Sequence, residues 1–271
     1  MNKNYTTCGI IFLWGDILII DTHCHLFDEY YSNLDLIINN MKSNIIVVSG
    51  SNIKTNQEVI KLCNKYGNVF GTLGFHPSEL DNFDNKDLEF IEENINNPKI
   101  IGIGEIGLDY YWQTDNKIIQ QTVFKKQLDI ALKHNKAVVV HSREALTDTY
   151  NILKQKKYRN MKIVLHCYSY DLEMAKKFTK LGFMLGIGGI ITFKNSGTLR
   201  SVVKNIDLKY LLLETDSPYL APTPYRGKVN EPKNVKLVAE KIAEIKNIDI
   251  DEVYKITTNN AICQFDLKDK L

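Results

Sequence analysis

This 271-residue chain has no apolar stretch long enough to cross a bilayer. Residues 9–20 come nearest, but Gly15 and Asp16 interrupt them and no small-residue cleavage site follows, so a secretory signal is not expected. Residues 1–16 read as an appendage ahead of the first strand. Cysteine is sparse and odd in number: Cys8, Cys24, Cys63, Cys167 and Cys263, with no Cys-x-x-Cys. That argues against a disulfide scaffold and for a reducing cytoplasm. An excess of one charge is also missing, since 34 Lys+Arg against 32 Asp+Glu leave +2. Such a chain does not hold nucleic acid by bulk field, so a polyanion must be gripped by a few placed groups. There is no Pro/Gly/Ser-rich linker and no low-complexity tract, so residues 17–271 read as one domain.

What is present is a repeated alternation. Short β-branched runs occur at 17–25, 45–50, 69–76, 100–107, 137–142, 162–167, 183–189 and 211–217. Each is too apolar for a sheet with one wet face, which predicts strands buried on both sides. Apolar residues at three- and four-residue spacing predict helices over 34–41, 55–66, 86–94, 118–134, 145–154, 172–181 and 233–246. Eight strand–helix units predict an α/β fold, a closed (β/α)8 TIM barrel of parallel strands.

The chemically able residues sit at the C-terminal ends of these runs, the face where barrel active sites are built. They are His23 and His25, His76, Glu105, His141, His166 and Asp216; of the six histidines only His134 falls on a helix. A strand has period two, so His23 and His25 point one way and Cys24 the other. Two such imidazoles can converge on one metal ion. Glu105, in a run rich in Ile and Gly, is costly to bury unless paired or metal-bound, and a bidentate carboxylate can bridge two cations. His141 and His166 would serve the second ion. Asp216 would close the ring beside His23 and His25, unless it only caps the turn before Pro218.

The motifs are Asp-Thr-His-Cys-His at 21–25, Gly-Phe-His-Pro at 74–77, Gly-Glu-Ile-Gly-Leu-Asp-Tyr at 104–110 and Val-His-Ser-Arg at 140–143. Leu-His-Cys-Tyr-Ser at 165–169, Glu-Thr-Asp-Ser-Pro-Tyr-Leu at 214–220 and Arg-Gly-Lys-Val-Asn-Glu-Pro at 226–232 follow. Together they resemble the TatD family of metal-dependent deoxyribonucleases within the amidohydrolase-like barrels, over nearly the whole chain. The resemblance implies two divalent ions, one on His23, His25, Glu105 and Asp216, the other on Glu105, His141 and His166. It also implies DNA, as single strands or ends, for a substrate. Val229 stands where the family often has a second Arg.

Mixed imidazole and carboxylate ligands suit Zn, Mn, Fe, Co or Mg. Two such cations activate a water for attack on a phosphodiester without a side-chain nucleophile, and the sequence has no Gly-x-Ser-x-Gly elbow. Asp216 is ligand, proton acceptor or both. Among only four arginines, Arg143 and Arg226 fall at the catalytic face and suit phosphate forks, with His76 as a further donor. Phe27, Phe75, Tyr110, Tyr111, Trp112, Tyr168, Tyr170, Tyr219 and Tyr225 stand in the same loops, able to stack bases or to pack loop against loop. No membrane and no obligate protein partner are expected. The alternatives are a small-molecule hydrolase of the same superfamily, acting on an amide, lactone or phosphoester, and a non-catalytic metal- or nucleic-acid-binding module. Where such hydrolases use a carbamylated lysine on strand 4, only Lys99 is near, at the wrong end.

Overall fold

β-Branched residues in alternating positions make the eight strands, and the computed structural model describes residues 18–81, 83–112 and 114–271. The expected appendage at 1–16, and the first residue of the expected 17–25 strand, lie outside the described residues. The strands are β1 (Ile20–Cys24), β2 (Ile45–Ser49), β3 (Val69–Leu73), β4 (Ile100–Asp109), β5 (Ala137–Arg143), β6 (Ile163–Leu165), β7 (Met184–Ile187) and β8 (Leu211–Leu213). They form one parallel sheet in chain order. Beyond β8 the chain turns back onto β1: Asp216 N–H donates to the His23 carbonyl at 3.0 Å and His25 N–H to the Ser217 carbonyl at 2.6 Å. The fold is a (β/α)8 barrel.

Period two sorts the strand residues into two cores. Ile20, Val47, Phe70, Ile101, Val139, Val164, Met184 and Leu212, one from each strand, fill the barrel. Their neighbours, such as Ile46, Val138, Val140, Ile163, Leu211 and Leu213, pack outward against the helices. These helices are α1 (Leu34–Asn39), α2 (Ile53–Lys65), α3 (Asn85–Asn94), α4 (Lys117–Lys133), α5 (Leu146–Leu153), α6 (Leu172–Lys180), α7 (Gly197–Asn205), α8 (Val235–Lys246) and α9 (Ile250–Gln264). Ala261 and Ile262 of α9, with Phe265 and Leu267 just after it, join the interior core and close the barrel opposite the strand C-termini.

Two differences from the sequence reading have clear causes. Helix α7 was not expected. It buries only Leu199, Val202 and Val203 and opens on Gly197, too little apolar periodicity to stand out. The expected strands 162–167 and 211–217 are shorter, because Cys167 and Asp216 take left-handed φ values of 45° and 54° and leave the ladder.

Candidate metal centre

The same alternation delivers the polar residues. On β5, His141 shares the interior face of Ala137 and Val139; His166 continues that of Val164; Glu214 and Asp216 continue that of Leu212. Two of these strands, β1 and β4, need a correction of phase. In β1, Asp21 pairs with Ile46 but Cys24 with Val48, so one residue is inserted. In β4, Ile103 pairs with Val138 but Ile106 with Val140, another insertion. Such bulges re-aim side chains. The first turns His23 and His25 inward and leaves Cys24 in the outer core, its thiol donating to the Val47 carbonyl. The second lies around Glu105. Beside it Gly107, at φ 148°, lies so close to the His141 carbonyl that a Cβ would come within 1.9 Å.

Four donors converge at one centre. His23 Nε2 and His25 Nε2 are 3.2 Å apart. Glu105 Oε2 lies 3.4 Å from each, and Asp216 Oδ1 lies 3.6 and 3.5 Å from them. Metal bonds of ~2.0–2.2 Å set tetrahedral donor spacings of about 3.3–3.6 Å, so His23 and His25 with either carboxylate offer spacings that suit a divalent cation. The opposite ring nitrogens are already engaged. His25 Nδ1 donates to the Ser49 carbonyl at 3.0 Å, and His23 Nδ1 lies 3.0 Å from Ser49 Oγ. This is the outer hydrogen bond that orients metal-binding imidazoles and turns Nε2 inward.

Glu105 faces both ways. Its Oε1 accepts from His141 Nδ1 at 2.8 Å and His166 Nε2 at 3.0 Å. His76 Nε2 stands 3.6 Å from the same oxygen. Burial opposes the Glu105 charge, but the His166 cation and the bonds from His141 and His166 hold its carboxyl well below the usual range. For Asp216, too, burial is outweighed, by the bond from His25 and the nearby His166, and its carboxyl is held low. Burial likewise opposes the charge on His25, yet its bonds to Asp216 and Glu105 push that imidazole up to about 9. His76 differs. Burial and the neighbouring His141 lower it to about 3, so its ring is neutral. Its Nδ1 accepts the Ser78 N–H, which leaves the proton on Nε2. His76 therefore faces the centre as a donor.

Two carboxylates that sequence reasoning passed over sit behind the histidines. Asp109 Oδ2 accepts from His141 Nε2 at 2.9 Å, leaving Nδ1 turned to Glu105. Glu214 is fully buried, with Oε1 3.4 Å from His166 Nδ1 and accepting the Cys167 N–H at 2.5 Å. Gly186 makes room for it, since a Cβ there would lie 2.1 Å from Glu214 Oε2. The available signal was strand spacing: Glu214 is two residues from Asp216 and shares its face.

The centre floors a cavity of about 680 Å³, lined among others by His76, Trp112, Arg143 and Tyr219. The Arg143 guanidinium reaches it stacked 3.9 Å over the Tyr111 ring. Arg226 is not among the lining residues; it stacks 3.9 Å over Phe193 in an exposed loop. Lys99 precedes β4 at the far end of the barrel, over the Phe70 ring.

A family model described as TatD related DNase matches residues 20–266. The chain belongs to the TatD family. A TatD chain of this kind is 38% identical over 248 residues to an uncharacterized metal-dependent hydrolase, YabD, of Bacillus subtilis, covering 90% of this chain and 97% of that one. It is 34% identical to another, YcfH, of Escherichia coli K12, over 90% of this chain and 94% of that one. Among solved structures, YJJV, a TatD homologue from Escherichia coli K12, superposes with a TM-score of 0.86 at 27% identity, covering 92% and 98% of the two chains. The protein is thus a metal-dependent hydrolase of the TatD family, with clustered imidazoles and carboxylates able to hold metal. In its TatD barrel every described histidine but His134 reaches the centre. No helix among the described residues is long and apolar enough to cross a membrane.

Proposed function

We propose that this protein hydrolyses phosphodiester bonds of DNA, as an exonuclease on single strands or ends, using two divalent cations that share Glu105. The observation that carries the reading is the division of Glu105: Oε2 faces His23 and His25, while Oε1 faces His141 and His166. Bound there, two cations would polarise a phosphoryl oxygen, acidify the attacking water and neutralise the leaving oxygen. The chain's own groups do the rest. Asp216, held ionised at the cavity wall, accepts the proton of the attacking water. His76, neutral with its proton on Nε2, donates to a phosphate oxygen. Arg143 offers its fork to a phosphate in the cavity, and Arg226 to one further along the strand. Cys24, Cys63 and Cys167 carry free thiols, which supports a cytoplasmic setting.

The test is to strip the protein of metal and restore each divalent ion in turn. Single-stranded DNA, RNA, a chromogenic phosphodiester and a neutral ester are then offered. Nuclease activity with two ions bound per chain is the expected result. A protein that turned over the neutral ester and left every phosphodiester intact would belong to the small-molecule reading instead.

A further inference from the structure

The sequence places nine aromatic residues in the loops around the mouth, and the structure divides them. Phe27, Phe75, Tyr110 and Tyr168 are buried and pack loop against loop. Trp112 and Tyr219, which also line the cavity, are 68% and 48% exposed. They stand on opposite rims. Trp112 follows β4 and stands by Arg143 at the end of β5, whereas Tyr219 follows β8 and stands against Tyr30 after β1. In an eight-stranded barrel the β4–β5 edge lies across from the β8–β1 edge.

Each rim is wired to the centre. Asp109 Oδ1 accepts the N–H groups of Tyr111 and Trp112 at 2.9 and 3.2 Å, while its other oxygen holds His141. Tyr219 N–H donates to the Asp216 carbonyl at 2.9 Å, and its hydroxyl donates to that of Tyr30 at 2.9 Å. The Trp112 ring meets Tyr111 edge to face at 4.9 Å, and the Arg143 guanidinium lies over Tyr111. Exposed rings on backbone fixed in this way make stacking platforms at low ordering cost.

We infer that Trp112 and Tyr219 are nucleobase-stacking subsites on either side of the scissile phosphate. The inference rests on the phosphodiesterase reading above. Stacking on an aromatic face tolerates any base, because every base has a π-face. A base inside a duplex has its faces covered by its neighbours. A strand crossing the mouth from one rim to the other carries its phosphate over Glu105, with one base reaching each ring.

The metal-loaded protein tests this with single-stranded oligothymidylate and with the same oligomer carrying abasic sugars. The readout is the ratio of kcat/KM between the two. Trp112→Ala and Tyr219→Ala are each expected to lower that ratio roughly 5- to 150-fold, the range for losing one stack. Metal content should stay constant, and Trp112→Phe should restore most of the ratio. A second readout needs no turnover. In metal-free Trp14→Phe protein, Trp112 is the remaining tryptophan, and oligothymidylate should quench its fluorescence more than the abasic oligomer does. Ratios that stay at the wild-type value while DNA is still cleaved would overturn the stacking inference and leave the nuclease reading standing. Wild-type protein that cleaves neither oligomer would remove both.

Discussion

Asp216 is asked to do two things from one position. Its Oδ1 lies within 3.6 Å of both His23 and His25, and its left-handed backbone at φ 54° swings the side chain off the end of β8 toward them. Such strain at a non-glycine residue persists where surrounding structure fixes it, here by the bond from Asp216 N–H to the His23 carbonyl. Asp216→Asn is nearly isosteric and should fold, yet lose ~10²–10⁴-fold in kcat through the missing proton acceptor; steady-state turnover beside a circular dichroism spectrum checks both halves. Asp109 makes a different prediction. Its two oxygens serve two clients, His141 on one side and the Tyr111 and Trp112 amides on the other. An amide accepts on one side only, so Asp109→Asn must release one of them. Metal affinity should fall ~10–100-fold, the usual cost of losing the outer partner of a metal-binding histidine, as read by competition with a chromophoric chelator.

At the scale of elements, the bulges in β1 and β4 and the cap by α9 determine what the barrel ends can be. The inserted residue in β1 separates two phases of one strand: Ile20 belongs to the interior core, and three residues later His23 also faces inward. The alternation of His23, Cys24 and His25 was legible from period two alone. Their phase relative to Ile20 was not, because an insertion is a property of pairing between strands. Helix α9 takes its place under the barrel from closure, with Ala261 and Ile262 in the interior core. Phe265, 1% exposed, sits in that interior core with Ile262 and Leu267. Phe265→Ala should cost ~3–5 kcal/mol, the usual range for such a cavity, measured by denaturant unfolding. Bound metal per folded chain should stay unchanged, since the centre lies at the other end of the strands.

For the whole molecule, the centre stores its protons in a way that links stability to pH. Without metal, the His25 imidazolium is buried against Asp216 and Glu105, and its pKa rises from 6.5 to about 9. A raised folded-state pKa means that its contribution is complete below the unfolded value and fades as pH climbs through the folded one. Metal-free wild type should therefore lose part of its advantage over metal-free His25→Gln between about pH 6.5 and about pH 9. Unfolding curves in chelator across that range test it; a difference that stays constant or grows would sink the assignment. Loading metal should release protons, because a coordinating imidazole must be neutral.

The sequence by itself determined the barrel, since buried strands of period two alternating with helices of period 3.6 leave few other closed arrangements. It also determined which histidines and carboxylates meet, because a parallel barrel brings every strand's C-terminal end to one rim. Tertiary structure alone decided the roles of the neighbours. That Asp109 orients His141 and that Glu214 lies behind His166 depend on distances between strands far apart in sequence. Arg226, in the loop after β8, stacks on Phe193 in the loop after β7, a contact that chain order does not show. Spacing fixes a direction along one strand; only packing fixes what stands opposite.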